Sequence, residues 1–254
     1  MPRLLRRLAL IACIAMLPAW AGAQGLTVSA AASLTEAFKE IGARFDASRG
    51  AAAGGTTRFN FAASGVLITQ IAQGAPVDVF VSADEETVDR GVKDKLLDPT
   101  TRRDFAANSL VLIAPAAATP PLASLADVAG PAVQRVAVGK PATVPVGRYT
   151  RQALEAAGLW ARIEPRIVYA DTVRQALDYV ARGEADAGFV YRTDAELVKD
   201  KVRLVATVGG HAPVRYPAAV VLNSRQPAAA RAFVDYLLGA DAQAILARHG
   251  FSKP

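Results

Sequence analysis

From Leu26 onward the hydrophobic positions alternate between two spacings. Short apolar or β-branched runs near 26–30, 57–61, 77–81, 109–114, 135–138, 166–169, 186–190, 203–207 and 216–222 predict strands. Between them apolar residues return every three to four positions, the spacing of a helix. Leu34, Phe38, Ile41 and Phe45 share one face of a helix over 34–48, and Val173, Ala176, Leu177 and Val180 one face of a helix over 172–182. Strands alternating with helices argue for mostly parallel sheets flanked by helices, an α/β fold. Near the C-terminus Pro227 opens a helix with Phe233, Val234, Leu237 and Leu238 on one face and Gly239 as its stop. A shorter helix follows from Asp241 to His249, stopped by Gly250.

Two extended segments stand out. One, 108–114, leads into the Ala- and Pro-rich stretch 115–121; the other, 216–222, follows the Gly209-Gly210 turn. Read as crossings between lobes, they divide the chain into a discontinuous lobe of residues 25–106 plus 218–254 and a second lobe of residues 107–217. A length of 254 residues suffices for one large or two small domains.

Charge changes the picture at the N-terminus. The formal net charge is +6, but Arg3, Arg6 and Arg7 all lie in the first 23 residues, and without them it is +3. That stretch has the basic start, the apolar run from Leu8 to about Trp20 and the Ala21-Gly22-Ala23 end of a secretory signal peptide, with cleavage expected after Ala23. The run is shorter than the ~20 residues that span a bilayer, so export to the periplasm is the expectation. Cys13, the single cysteine, leaves with the signal; the remainder has neither a disulfide nor a thiolate. Beyond residue 23 basic residues are scattered among acids, with few aromatics, which argues against nucleic acid as a partner.

Catalytic signatures are missing. There is no G-x-S-x-G elbow and no G-x-G-x-x-G, and Gly139-Lys140 is followed by Pro141 where a phosphate loop needs Ser or Thr. His211 lies in a Gly/Pro turn, and His249 is placed to satisfy carbonyls at a helix end. Asp84, Glu85, Glu86, Asp194 and Glu196 are explained by the positive ends of helices. No cofactor is expected.

What remains is a set of strand-to-helix turns with uncharged donors: Ala30-Ala31-Ala32-Ser33, Ala62-Ala63-Ser64-Gly65, Val144-Pro145-Val146-Gly147 and Asp171-Thr172-Val173. Taken singly, each serine reads as the cap of its own helix. Taken together, small neighbours and donor turns in both lobes describe a clamp for an anion.

Those residues carry a resemblance. Ala31-Ala32-Ser33-Leu34-Thr35-Glu36-Ala37-Phe38, Phe61-Ala62-Ala63-Ser64-Gly65, the run 74–84 (GAPVDVFVSAD), the run 108–115 (NSLVLIAP) and Gly188-Phe189-Val190-Tyr191 resemble, in order along the chain, the periplasmic molybdate-binding proteins of bacterial ABC importers. The resemblance implies a two-lobed type II periplasmic binding protein fold with its ligand cleft between the lobes. It implies a receptor, not an enzyme, that captures molybdate or tungstate and delivers it to an inner-membrane permease, with molybdenum present only as the bound oxyanion. It places ligand contacts at the hydroxyl and backbone N–H of Ser33 and Ser64, the N–H of Val146 and Val173, and the phenol of Tyr191. A single-chain clamp of this kind works as a monomer. Two departures from the family pattern are Lys140, where an acidic residue is usual, and Val146, where Ala is usual. Asp171 would repel a dianion and is expected to cap its helix or point away. The alternatives are the same clamp tuned to sulfate or another oxyanion, and an exported hydrolase with Ser33 or Ser64 as nucleophile, against which stands the lack of a base beside either.

Overall fold

The computed structural model describes residues 25–49, 55–118 and 122–254. The signal segment 1–23 with its cleavage site, and the end of the Ala- and Pro-rich stretch at 119–121, lie outside the described residues.

Among the described residues ten strands form two five-stranded sheets. β1 (Thr27–Ala31), β2 (Arg58–Ala62), β3 (Val79–Val81), β4 (Arg103–Asn108) and β10 (Val214–Val220) make the first, in the order β2-β1-β3-β10-β4. β5 (Leu110–Pro115), β6 (Val136–Gly139), β7 (Ile167–Ala170), β8 (Ala187–Tyr191) and β9 (Val202–Thr207) make the second, in the order β7-β6-β8-β5-β9. In each sheet one strand runs against the other four: β10 is antiparallel to β3 and β4, and β5 to β8 and β9. Both reversed strands are reached by crossing from the other sheet, from β4 through Ser109 into β5 and from β9 through residues 208–213 into β10.

Helices follow the strands. They are α1 (Thr35–Arg49), α2 (Ser64–Ala72), α3 (Glu85–Lys93), α4 (Pro145–Ala156), α5 (Trp160–Ile163), α6 (Val173–Ala181), α7 (Arg192–Glu196), α8 (Pro227–Tyr236) and α9 (Ala240–Arg248). The apolar faces expected on α1 and α6 are buried, and Phe38, Phe45 and Phe233 pack edge to face in the first lobe's core, Phe45 and Phe233 with ring centroids 5.1 Å apart.

Several local expectations are corrected. Leu34 closes a 3-10 turn (Ala32–Leu34), so α1 begins at Thr35. Strand β4 was not expected: its sequence RDFAAN buries only Phe105 and Ala106, too little alternation to read as a strand. Gly239 does not stop α8, which ends at Tyr236; it is the N-cap of α9. Leu238 is exposed. His249 does not serve the carbonyls of its helix: its Nε2 faces Glu40 Oε2 at 3.2 Å. Glu196 ends α7 instead of opening it.

Candidate anion-binding cleft

In parallel α/β sheets the turns after the strands lie at one edge, and the first-turn N–H groups of the following helices have no acceptor within the helix. Here the turns after β1, β2, β6, β7 and β8 converge on one small cavity, about 10 Å³ in volume. Ser33, Ser64, Val146, Val173 and Tyr191, from both lobes, all line it, with Ala31, Ala32, Ala62, Ala63 and Ala83 among their neighbours and no charged side chain. Ser64 and Val173 are the first residues of α2 and α6, Val146 the second of α4, and Tyr191 the N-cap of α7.

The capping explanation of the two serines fails. The N-cap positions before Ser33 and Ser64 are Ala31 and Ala63, and neither helix start has a side-chain cap; nor does α4, capped by Val144. Ser64 Oγ accepts from the N–H of Ala83 at 3.1 Å, and Ser33 Oγ lies 3.1 Å from the hydroxyl of Tyr216. Because Ser64 Oγ accepts from a backbone N–H, its own hydrogen is left to donate. Among the described residues no imidazole or carboxylate is hydrogen-bonded to either serine hydroxyl, so the hydrolase alternative lacks its base. Tyr191 is fully buried, which pushes its phenol well above the usual range and keeps it a neutral donor. Its O–H reaches across to the carbonyl of Ala83 at 3.5 Å.

Charges stand around the cavity, not in it. Arg148 of α4 crosses to the first lobe, where its Nε donates to Asp84 Oδ2 at 2.9 Å and its Nη2 to Thr87 Oγ1 at 2.8 Å. Asp84 also caps α3, accepting from the Thr87 N–H. On the other side Arg174 of α6 reaches Glu36 Oε2 on α1 at 2.5 Å and the Ser33 carbonyl at 3.3 Å. Burial works against the charge of Arg174, but Asp194 and Glu36 more than offset it and hold its pKa up. Between these two clasps the backbone itself crosses: Gly65 N–H donates to the Thr143 carbonyl at 3.0 Å. Asp171 does not cap its helix, a role taken by Thr172; it is exposed and ion-paired with Lys140, so each neutralises the other away from the cavity.

Asp194 is wholly buried, with Oδ1 2.7 Å from Arg174 Nε in an ion-pair contact outside hydrogen-bond geometry and Oδ2 accepting from the Tyr191 N–H. Burial pushes its carboxyl up to about 6, with Arg174 pulling the other way. The folded protein therefore holds this proton more tightly than the unfolded chain does. Its contribution to stability is complete below about pH 4 and is lost as the pH rises through about 6. Asp194→Asn, which has no such proton to lose, is expected to gain in unfolding temperature relative to the wild type as the pH is raised from 4 to 7. Calorimetric scans of both proteins at those two pH values check this, and a constant gap would show that Arg174 alone sets the state of Asp194.

Sequence reasoning missed Tyr216, Asn108, Ala83 and both cross-lobe arginines. Ala83 carried a signal as the turn after β3, a parallel strand like those before the donor turns, and Asn108 as the head of the run 108–115.

A two-lobed α/β clamp closed on a small cavity lined with donors is the architecture of a solute-binding protein. The chain belongs to the bacterial extracellular solute-binding protein family, whose profile matches residues 26–252, and is accordingly a binding protein and not an enzyme. It is 39% identical to the molybdate-binding protein ModA of Escherichia coli (strain K12) over 233 residues, 89% of this chain and 88% of that one. It is likewise 39% identical to ModA of Mycobacterium tuberculosis (strain H37Rv) over 236 residues, 92% of this chain and 86% of that one. Among solved structures, the periplasmic molybdate-binding protein of Azotobacter vinelandii superposes with a TM-score of 0.76 at 26% identity, covering 90% of this chain and 99% of that one.

Proposed function

We propose that this protein is a periplasmic receptor for molybdate, and for tungstate, which it passes as a monomer to an inner-membrane ABC permease. The observation that carries this is the convergence of Ser33, Ser64, Val146, Val173 and Tyr191 on one cavity without a charged side chain. A tetrahedral dianion offers only acceptors, and two hydroxyls, the phenol and four backbone N–H groups (Ser33, Ser64, Val146, Val173) answer it with donors alone. At about 1.5–3 kcal/mol for each hydrogen bond to a charged group, seven give roughly 10–20 kcal/mol before ordering and closure are subtracted. The Tyr191 bond to Ala83 is at the limit of hydrogen-bond length, and a charged acceptor in the cavity outcompetes it.

The lobes are residues 25–106 with 218–254, and 107–217, turning about the two crossings. Residues 1–23 direct export and are removed after Ala23. The similarity to molybdate-binding relatives supports the choice of ion over sulfate, which shares its charge and shape and differs in size.

The test is thermal unfolding with molybdate, tungstate, sulfate and phosphate titrated separately. A ligand that binds only the folded state stabilises it by about 2.7 kcal/mol at a hundredfold excess over its dissociation constant. Molybdate and tungstate are expected to raise the midpoint and sulfate and phosphate to leave it unchanged. A shift with sulfate instead would reassign the ion, and no shift with any of the four would overturn the receptor.

A further inference from the structure

The two serines of the cavity have their hydrogens fixed in different ways. Ser64 Oγ receives a backbone N–H, which can only donate, so its own hydrogen is free for the cavity. Ser33 Oγ faces a second hydroxyl, that of Tyr216, and two hydroxyls 3.1 Å apart can bond in either direction. If Ser33 donated to Tyr216, it would present the cavity with an oxygen instead of a hydrogen.

Asn108 decides between the two. Its Oδ1 accepts from the Ser109 N–H at 2.8 Å, which fixes the amide so that Nδ2 lies on the other side. Nδ2 is 2.9 Å from Thr193 Oγ1 and 3.4 Å from the Tyr216 oxygen, and an amide nitrogen has only hydrogens to give. The Tyr216 oxygen is thus the acceptor, and its single hydrogen is left for Ser33. Tyr216 is completely buried, and the pairing of β10 with β4 shifts register between Tyr216 and Pro217, where Phe105 is the extra residue on β4. Both members of the pair stand at the crossings between lobes, Asn108 at the end of β4 and Tyr216 near the start of β10.

We propose that Asn108 and Tyr216 are positioning residues for anion recognition, a one-way relay from the Asn108 amide through the Tyr216 phenol to Ser33 that leaves the Ser33 hydrogen no acceptor but the ligand. This rests on the reading of the cavity as an oxyanion site. Neither residue lines the cavity. What they determine is which oxyanion can sit against Ser33: a bare oxygen finds a hydrogen there, whereas a protonated oxygen, as in hydrogen phosphate, meets hydrogen with hydrogen.

The experiment is calorimetric titration of wild type, Y216F, S33A and the double variant with molybdate and with hydrogen phosphate at neutral pH. In Y216F the Ser33 hydroxyl loses its orienting donor, so molybdate binding is expected to weaken roughly tenfold, within the worth of one hydrogen bond to a charged group. The preference for molybdate over hydrogen phosphate is expected to fall with it. In the S33A background the same substitution is expected to change molybdate affinity less than about twofold, because there is no hydroxyl left to orient. Equal losses in both backgrounds, or no loss in either, would overturn the relay, since a packing role for Tyr216 does not depend on Ser33. Should Y216F not fold, N108D replaces it. A carboxylate there accepts the Tyr216 hydrogen and turns Ser33 toward Tyr216, so its loss of molybdate affinity is expected to be larger with Ser33 present than in S33A, and equal factors would again overturn the relay. A wild-type protein that binds neither anion, nor tungstate, removes the oxyanion reading and the relay together.

Discussion

Gly65→Ala is expected to bind its anion roughly ten- to hundredfold more weakly than the wild type while unfolding, without ligand, at the same temperature or slightly above it. The reason is where the new methyl group goes. A Cβ on Gly65 would lie 2.6 Å from the Thr143 carbonyl oxygen and 2.8 Å from the Thr143 Cα, both backbone atoms of the opposite lobe. Overpacking of this kind costs about 1–3 kcal/mol, and here only the closed arrangement bears it. Within its own lobe Gly65 occupies the first turn of α2 without a positive φ, so alanine fits and is the better helix former. The two halves of the result are read by titration calorimetry and by thermal unfolding. Unchanged affinity would mean that the lobes do not meet at Gly65 and Thr143 when ligand is held. A lowered unfolding temperature without ligand would mean that the glycine serves its own lobe.

Gly147→Ala puts the same methyl group inside one lobe, with the opposite balance of effects. Its Cβ would lie 1.9 Å from the Gly139 carbonyl oxygen, which β6 holds in place, and 3.1 Å from the Lys140 carbonyl carbon. No side chain is available to move aside, so α4 must lift off the end of β6. We expect destabilisation of about 3 kcal/mol or more, a fall in midpoint on the order of 6–12 °C. Because Val146 precedes Gly147 in the first turn of α4, its N–H moves too, and whatever folded protein remains binds the anion poorly. A variant with wild-type stability would contradict this close approach of α4 and β6.

The two glycines bear on how much of this protein its sequence discloses. Strand and helix periods were legible because Leu34, Phe38, Ile41 and Phe45, or Val173, Ala176, Leu177 and Val180, repeat at the spacing of a buried helix face. Strand β4 was not, because Arg103, Asp104 and Asn108 interrupt any period and its place in the sheet comes from pairing with β10, more than a hundred positions away. The donor turns could be seen, but each serine alone read as a cap. Only the structure has Ala31 and Ala63 at those caps and Tyr216, 183 positions along the chain, against Ser33. The valines were legible only through resemblance, since a Val side chain says nothing of what its N–H faces. Arg148 with Asp84, and Arg174 with Glu36, are separated by 64 and 138 positions. They follow no local rule, because two lobes must close before the partners meet.

The clasps that bridge the cleft on either side of the cavity also set a clock. On the receptor reading, the lobes part only when Arg148 lets go of Asp84, Arg174 of Glu36 and the Gly65 N–H of the Thr143 carbonyl. Dwell time then follows how often the jaws part, not how strongly any single donor grips. A permease that pulls the lobes apart need not compete for the cargo with groups of its own: prising open the clasps is enough to let the ion go.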